Sequence, residues 1–227
     1  MVVSHWAMNT FAKLCCAAAL CLGVAACSDD NDSYLPPYVT TLGEIQTDAS
    51  GQPVFFTPDK GEQRRIATRH TGFAADTLYR VQALAVYEDD GSVSLRQLVK
   101  IISPYPRSVA EAARKYAPVD VLSLWSSGRY INMRIALHTA TEPHAFTFVD
   151  EGIETLPNGI QRLRLHLYHD RGANPEYYTR ETYLSCPIYQ YKDPTINTDK
   201  TLEVGRDSIL FSITTYEGEQ TLHILYE

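Results

Sequence analysis

The densest run of chemically able side chains is His166-Leu167-Tyr168-His169-Asp170, two imidazoles and a carboxylate of the types that ligate a divalent metal. On a helix, a three-residue spacing would turn both rings to one side. Here Leu163, Leu165 and Leu167 alternate with Arg162, Arg164 and His166, the pattern of a strand, so the two rings face opposite ways. A shared ion would need a bulge at the strand end. His166 is therefore read as a solvent-facing strand residue, His169-Asp170 as the entry to a turn, and no metal site is expected. His138 and His144 stand too isolated to extend the set.

No nucleophile elbow, phosphate-cradling glycine loop or zincin motif occurs, so no catalytic residue and no cofactor are assigned. The carboxylates lie mostly in turns and polar stretches, where solvation is their ordinary role. A carbohydrate-active enzyme using two of them across a cleft is the alternative reading. Cys186 shares strand parity with Leu184 and Ile188, which puts its thiol on an apolar face as a buried, inert group. The tyrosines carry more information. Tyr177, Tyr178, Tyr189 and Tyr191 lie in or beside loops rich in Pro, Asn and Asp, where an apolar ring with a hydroxyl suits contact with a protein or glycan. The competing reading is that they seal the ends of a β-sandwich.

These side chains belong to a chain of 227 residues, 44% hydrophobic, with 20 Lys+Arg against 27 Asp+Glu. Such a composition describes a folded protein of one large or two small domains and excludes collagen-like and coiled-coil repeats. A net charge of -7 without a basic stripe argues against a nucleic-acid partner, which would require clustered Lys and Arg to release counterions.

Cys15, Cys16, Cys21 and Cys27, four of the five cysteines, fall in the first 27 residues, no place for a disulfide framework. Lys13 precedes an apolar run from Leu14 to Ala26, too short to span a bilayer and suited to a secretion signal. The run ends in Val24-Ala25-Ala26-Cys27, which resembles the bacterial lipoprotein box, with cleavage after Ala26 and lipid on the Cys27 thiol; Val24 stands where Leu is commoner. Removing residues 1–26 takes away one lysine and no acid, so the balance moves from -7 to -8. Ser28-Asp29-Asp30-Asn31-Asp32-Ser33 is too polar to fold and reads as part of a tether over 27–37. An acidic run behind a lipidated cysteine resembles the surface-export signal of Bacteroidetes lipoproteins, which implies an outer-membrane lipoprotein exposed at the cell surface. A solvated spacer on a periplasm-facing lipoprotein is the other reading.

From Tyr38 onward, short alternating runs separated by Gly, Pro, Asp and Asn predict an all-β protein. Strands expected at 39–47, 54–57, 77–87 and 93–102, turned at Asp48 to Gln52 and Glu88 to Gly91, suit a small barrel over 38–107, since closure removes sheet edges. Ser108-Val109-Ala110-Glu111 has the form of a capping box and predicts a short helical connector over 108–117, stopped by Pro118. Beyond it, Ile131, Met133, Ile135 and Leu137 alternate with Asn132, Arg134 and His138. About seven such strands over 118–227 predict two sheets packed face to face.

In their order, the lipoprotein box, the acidic tether, a small β module, and then SLWSSGRYINM (123–133), LHLYHDRGANPEYYTRETYLSCP (165–187) and TTYEGEQTLHILYE (214–227) resemble the NigD-like family of Bacteroidetes lipoproteins. The resemblance implies an N-terminal OB-fold-like domain followed by a C-terminal β-sandwich. It implies a bacteriocin-related setting through the operon that names the family, and it brings no catalytic residue. The expected function is a non-catalytic envelope module, held to the membrane by the lipid on Cys27, that binds a protein or glycan.

Residues 1–7, MVVSHWA, separate the start from the charged leader that normally sits close to a signal core, whereas a start at Met8 gives MNTFAKLCCAAALCLGVAAC. Translation is expected to begin at Met8. Mass spectrometry of a precursor whose cleavage is blocked checks this, and a peptide containing Trp6 overturns it.

Overall fold

A computed structural model of the chain describes residues 37–140, 142–192 and 201–227. The signal, lipidation and tether expectations over 1–36 lie outside the described residues. Among those residues the secondary structure is twelve strands and two 3-10 turns, and no helix is long and apolar enough to cross a membrane.

The first five strands are β1 (Val39–Thr47), β2 (Pro53–Pro58), β3 (Arg64–Arg65), β4 (Leu78–Tyr87) and β5 (Val93–Lys100). Their antiparallel order is β3-β2-β1-β4-β5. A single parallel bridge, Ile66 to Val93, joins the two outer strands, with Ala67 N donating to Val93 O at 2.9 Å. The resulting circular order 1-2-3-5-4 is that of an OB-fold barrel, which leaves little open edge. The turns form as their residues require. Asp48 Oδ1 accepts from the backbone of Ser50 and Gln52, and Gly51 takes φ 81° with Phe73 O close to where a Cβ would stand. Inside, Ile45, Phe56, Val81, Ala83, Val93 and Leu95 are buried. The Phe56 ring lies across Gly43, where a Cβ would sit 2.4 Å from the ring edge, so only glycine lets β1 and β2 pair at that point.

The remaining strands are β6 (Asp120–Ser126), β7 (Tyr130–Thr139), β8 (Ala145–Thr155), β9 (Gln161–Asp170), β10 (Tyr178–Pro187), β11 (Ser208–Thr215) and β12 (Gly218–Leu225). They form a sheet of order β10-β7-β6 facing one of order β12-β11-β9-β8. All pairs are antiparallel except β9 with β11, which run parallel. The period-2 faces meet as expected. Ile131, Met133, Ile135 and Leu137 of β7 pack in one core with Leu163, Leu165 and Leu167 of β9, Ile209, Phe211 and Ile213 of β11, and a fully buried Cys186.

The helical connector does not form. Glu111–Ala113 is one 3-10 turn, preceded by Ala110 without a side-chain cap, and Arg114 is already extended at φ -73°, ψ 134°. The sheet claims this backbone. Arg107 exchanges hydrogen bonds with Phe148 O and Asp150 N, His169 N donates to Lys115 O, Ala117 N to His169 O, and Val119 N to Thr214 O. A ten-residue helix is marginal alone, and these ladder bonds satisfy the same groups better.

Barrel and sandwich are keyed together by polar groups. Arg80 of β4, 6% exposed, donates from Nε to Ser185 Oγ (3.1 Å) and from Nη2 to Asn132 Oδ1 (2.9 Å), and its fork pairs with both oxygens of Asp59. Asn132 Nδ2 donates in turn to Asp59 Oδ2 at 3.2 Å. Beside it, Glu44 of β1 accepts from the Tyr130 hydroxyl and, at 3.2 Å, from Arg129. The backbone continues the seam: Ile101 N donates to Arg80 O, and Ser185 N to Ile102 O.

Truncating Arg80 to Ala strands the largely buried Asp59 carboxylate without its cation, and a loss of about 3–5 kcal/mol is expected. Urea unfolding of Arg80→Ala against wild type measures it. Arg80→Lys should recover only part, because an ammonium cannot reproduce the forked contacts to Asp59, Asn132 and Ser185.

Candidate functional site

Next to this seam lies a cleft of about 320 Å³, at the lower end of the size range of ligand pockets. Its floor is Arg80 and its walls are Tyr79 from β4, Lys100 from β5, Tyr105 from the segment that follows β5, Tyr130 from β7, and Tyr189 from the 3-10 turn Tyr189–Tyr191 behind β10. The strands hold four of these positions. Tyr105 is placed by Pro104 and Pro106 on either side, which restrict the backbone there.

The tyrosine faces are already matched with cations. Arg80 lies 4.0 Å over the Tyr130 ring, Arg129 4.5 Å over Tyr189, and Lys100 Nζ 4.7 Å from both Tyr79 and Phe73. Tyr189 meets Tyr105 and Tyr130 edge to face, at centroid distances of 6.0 and 5.7 Å, and the Tyr105 and Tyr189 hydroxyls are hydrogen-bonded to each other. Burial pushes the Tyr130 hydroxyl up, with Glu44 beside it adding to the effect. Tyr189 is pushed up by burial and by Tyr105. Both hydroxyls therefore keep their protons; that of Tyr130 donates to Glu44, and that of Tyr189 shares a hydrogen bond with Tyr105. Among the described residues no carboxylate lines the cleft. The arrangement suits an uncharged or acidic group with an apolar body and repels a cation.

The four tyrosines singled out in the sequence do not form one surface. Tyr189 lines the cleft. Tyr177 and Tyr178, 81% and 52% exposed, lie at the opposite end of the ten-residue β10, on the order of 30 Å away, with the Tyr178 hydroxyl bonded to Ala140 O. Tyr191 is a correction. It is fully buried and donates its hydroxyl to Asp150 at 3.0 Å, because the turn points residues 189 and 191 to opposite sides. Sequence reasoning missed Tyr79, Tyr105, Tyr130 and Lys100, which converge from three separated segments. The available signal was Tyr130, which shares the polar face of β7 with Asn132.

The histidines also differ from expectation. His166 is buried beneath Tyr116, whose ring stacks on it at 3.9 Å as the connector crosses the sheet. His169, 2% exposed, meets His144, the residue that looked isolated: His144 Nδ1 and His169 Nε2 are 2.7 Å apart. His169 Nδ1 faces Ala117 O at 2.9 Å and must donate, which makes its Nε2 the acceptor from His144. His144 Nε2 then accepts from the Thr139 hydroxyl at 2.9 Å. The two ring nitrogens are closer than the roughly 3.3 Å that tetrahedral ligands of one zinc would keep, so they share a proton rather than a metal. Among the described residues no three metal-ligating side chains converge.

Outside the cleft, Glu151 and Glu154 line a second cavity of about 390 Å³. Glu151 lies 3.7 and 3.6 Å from Arg114 and Arg164, and Glu154 lies 3.4 Å from Arg162, so these acids serve ion pairs.

Together these features define a class: a two-module all-β protein, barrel locked to sandwich, with an aromatic cleft where they meet. Residues 102–226, more than half of the chain, match the NigD-like C-terminal beta sandwich domain, and the chain belongs to the NigD-like family. Among solved structures it is similar to a NigD-like immunity protein from Bacteroides caccae (25% identity, TM-score 0.64, covering 84% of this chain and 93% of that one). It is also similar to a candidate toxin-related protein from Parabacteroides distasonis (14%, 0.64, 83% and 92%) and a candidate lipoprotein from Bacteroides fragilis (13%, 0.61, 85% and 99%). No curated protein matches it.

Burial, foremost, pushes His169 down to about 4, while the unfolded imidazole titrates near 6.5. The unfolded chain therefore binds more protons between these values, and stability is full above about pH 6.5 and declines as pH falls toward 4. His169 alone accounts for about 2 kcal/mol between pH 7 and 5, and His144, also lowered by burial, adds to it. Urea midpoints at both pH values should fall less in His169→Gln than in wild type; parallel losses would refute the assignment.

Proposed function

We propose that this chain is a lipid-anchored, non-catalytic outer-membrane protein that binds another protein through the tyrosine-lined cleft, in a bacteriocin-associated role such as immunity. One observation carries the reading: tyrosine hydroxyls, ring edges and the Lys100 ammonium converge on a concave junction that, among the described residues, no carboxylate lines. Tyrosine and arginine are the side chains over-represented where protein interfaces concentrate their energy, and a preformed aromatic pocket is the usual seat of an anchor residue. Exposed Leu78 and Tyr105 add apolar area to its lining. The immunity role leans on the name of the Bacteroides caccae neighbour and on the toxin-related neighbour. Membrane attachment leans on Cys27 and its preceding small residues.

The rigid seam beneath the cleft supports recognition rather than turnover. Its buried donors and acceptors are paired with one another, which preorganises the walls and lowers the ordering cost of association.

The test retrieves the lipidated protein from intact envelopes after mild crosslinking and compares wild type with Tyr105→Ala, Lys100→Ala and the pair. The pair should retain its melting temperature and lose at least about tenfold of the captured partner, a little over 1.4 kcal/mol. Tyr177→Ala should retain it. Undiminished capture by the pair sinks the reading, and capture that survives protease treatment of the envelope but not periodate oxidation assigns the cleft to a glycan instead.

A further inference from the structure

On the barrel, away from the cleft and sharing no lining residue with it, a concavity of about 440 Å³ opens between residues 52–55 and 65–69. Its floor is apolar, from Pro53, Val54 and the buried Ile66. Phe55 stands at its rim, 40% exposed, directly across the β2/β3 ladder from Arg65, so ring and guanidinium share one outward face. Arg69 lines the same concavity four residues on, within about 14 Å along an extended chain.

The arginines of this stretch are not equivalent. Arg64 is committed: it lies 5.1 Å over the Tyr87 ring and donates to Gly91 O at 3.1 Å. Arg65 and Arg69 make no hydrogen bond or ion pair among the described residues. Asp90 feels the charge of Arg65 only as the least of its influences, and its Oδ1 is held by the hydroxyl and backbone of Ser92. The wall is fixed. Gln52 Nε2 donates to Pro53 O and Thr68 O, and Thr68 Oγ1 both donates to and accepts from the backbone of Leu95.

We infer that this concavity is a binding site for an acidic oligosaccharide, with a sugar ring laid on Phe55 and carboxylates gripped by Arg65 and Arg69. Guanidinium forks match carboxylates bidentately, and the C–H face of a pyranose is apolar enough to stack on a phenyl ring. A peptide strand fits poorly, because the backbone edges here are taken: β2 pairs with β1 and β3, and Ile66 closes onto Val93. Nucleic acid is disfavoured because the chain is acidic overall and this concavity offers just two arginines to phosphate. A lone small anion would leave most of the apolar floor uncovered.

The test is a titration of the full lipidated chain in detergent micelles with a galacturonate tetrasaccharide, beside maltotetraose, a glutamate tetrapeptide and oligodeoxythymidylate. The galacturonate should bind, more weakly as salt rises, and more tightly than the other three. Arg65→Ala and Arg69→Ala should each weaken it about tenfold and flatten its salt dependence. Phe55→Ala should weaken it with the salt dependence unchanged. Arg96→Ala on β5, and Tyr105→Ala in the cleft, should leave it alone, which separates this site from the protein-binding reading. Absence of binding, equal binding of maltotetraose, binding that survives the double arginine substitution, or preference for the peptide or nucleotide overturns the inference.

Discussion

A guanidinium cannot be buried without being neutralised and hydrogen-bonded, and Arg80 is buried between two β modules. Its charge is answered from its own barrel by Asp59, while its remaining donors reach Asn132 and Ser185 of the sandwich. The barrel therefore cannot turn on the sandwich without leaving donors or acceptors dry. This turns two small cores into one mechanical body and fixes the cleft, whose floor is the same arginine and whose Tyr130 wall is the ring on which it lies.

What the sequence made legible follows from which forces act locally. Period-2 alternation along β7 and β9 reflects one buried face per strand, so the strands, their facing sheets and the place of Cys186 could be read from single segments. The capping box at Ser108 was equally local, yet it lost. Its backbone is wanted by β8, β9 and β11, strands at residues 145–170 and 208–215 whose demand no window around 108 reveals. The same blindness hid His144. Its partner His169 lies 25 residues on and is brought beside it by the β8/β9 hairpin.

The candidate site shows this limit most sharply. Loop composition located Tyr189 but also selected Tyr191, two residues away and facing the core, and Tyr177 and Tyr178 at the far end of the strand. Proximity in sequence stood in for proximity in space. The true neighbours of Tyr189 are Tyr105 and Tyr130, 84 and 59 positions earlier, united only when residues 101 and 102 bridge β4 to β10.

The parallel pairing of β9 with β11 bears on how the chain reaches its native state. Two parallel neighbours cannot be joined by a tight hairpin, so the polypeptide must leave β9, lay down β10 in the opposite sheet, and return before the inner row of the second sheet exists. Until residues 208–213 arrive, the β9 edge is unpaired and Leu163, Leu165 and Leu167 lack Ile209, Phe211 and Ile213. Synthesis from the N-terminus thus delivers all the barrel strands ahead of a half-built sandwich with a sticky edge. Folding of the second module is governed by closing long loops, slow by topology and dependent on its final segment, and the interval before that segment arrives is when aggregation competes.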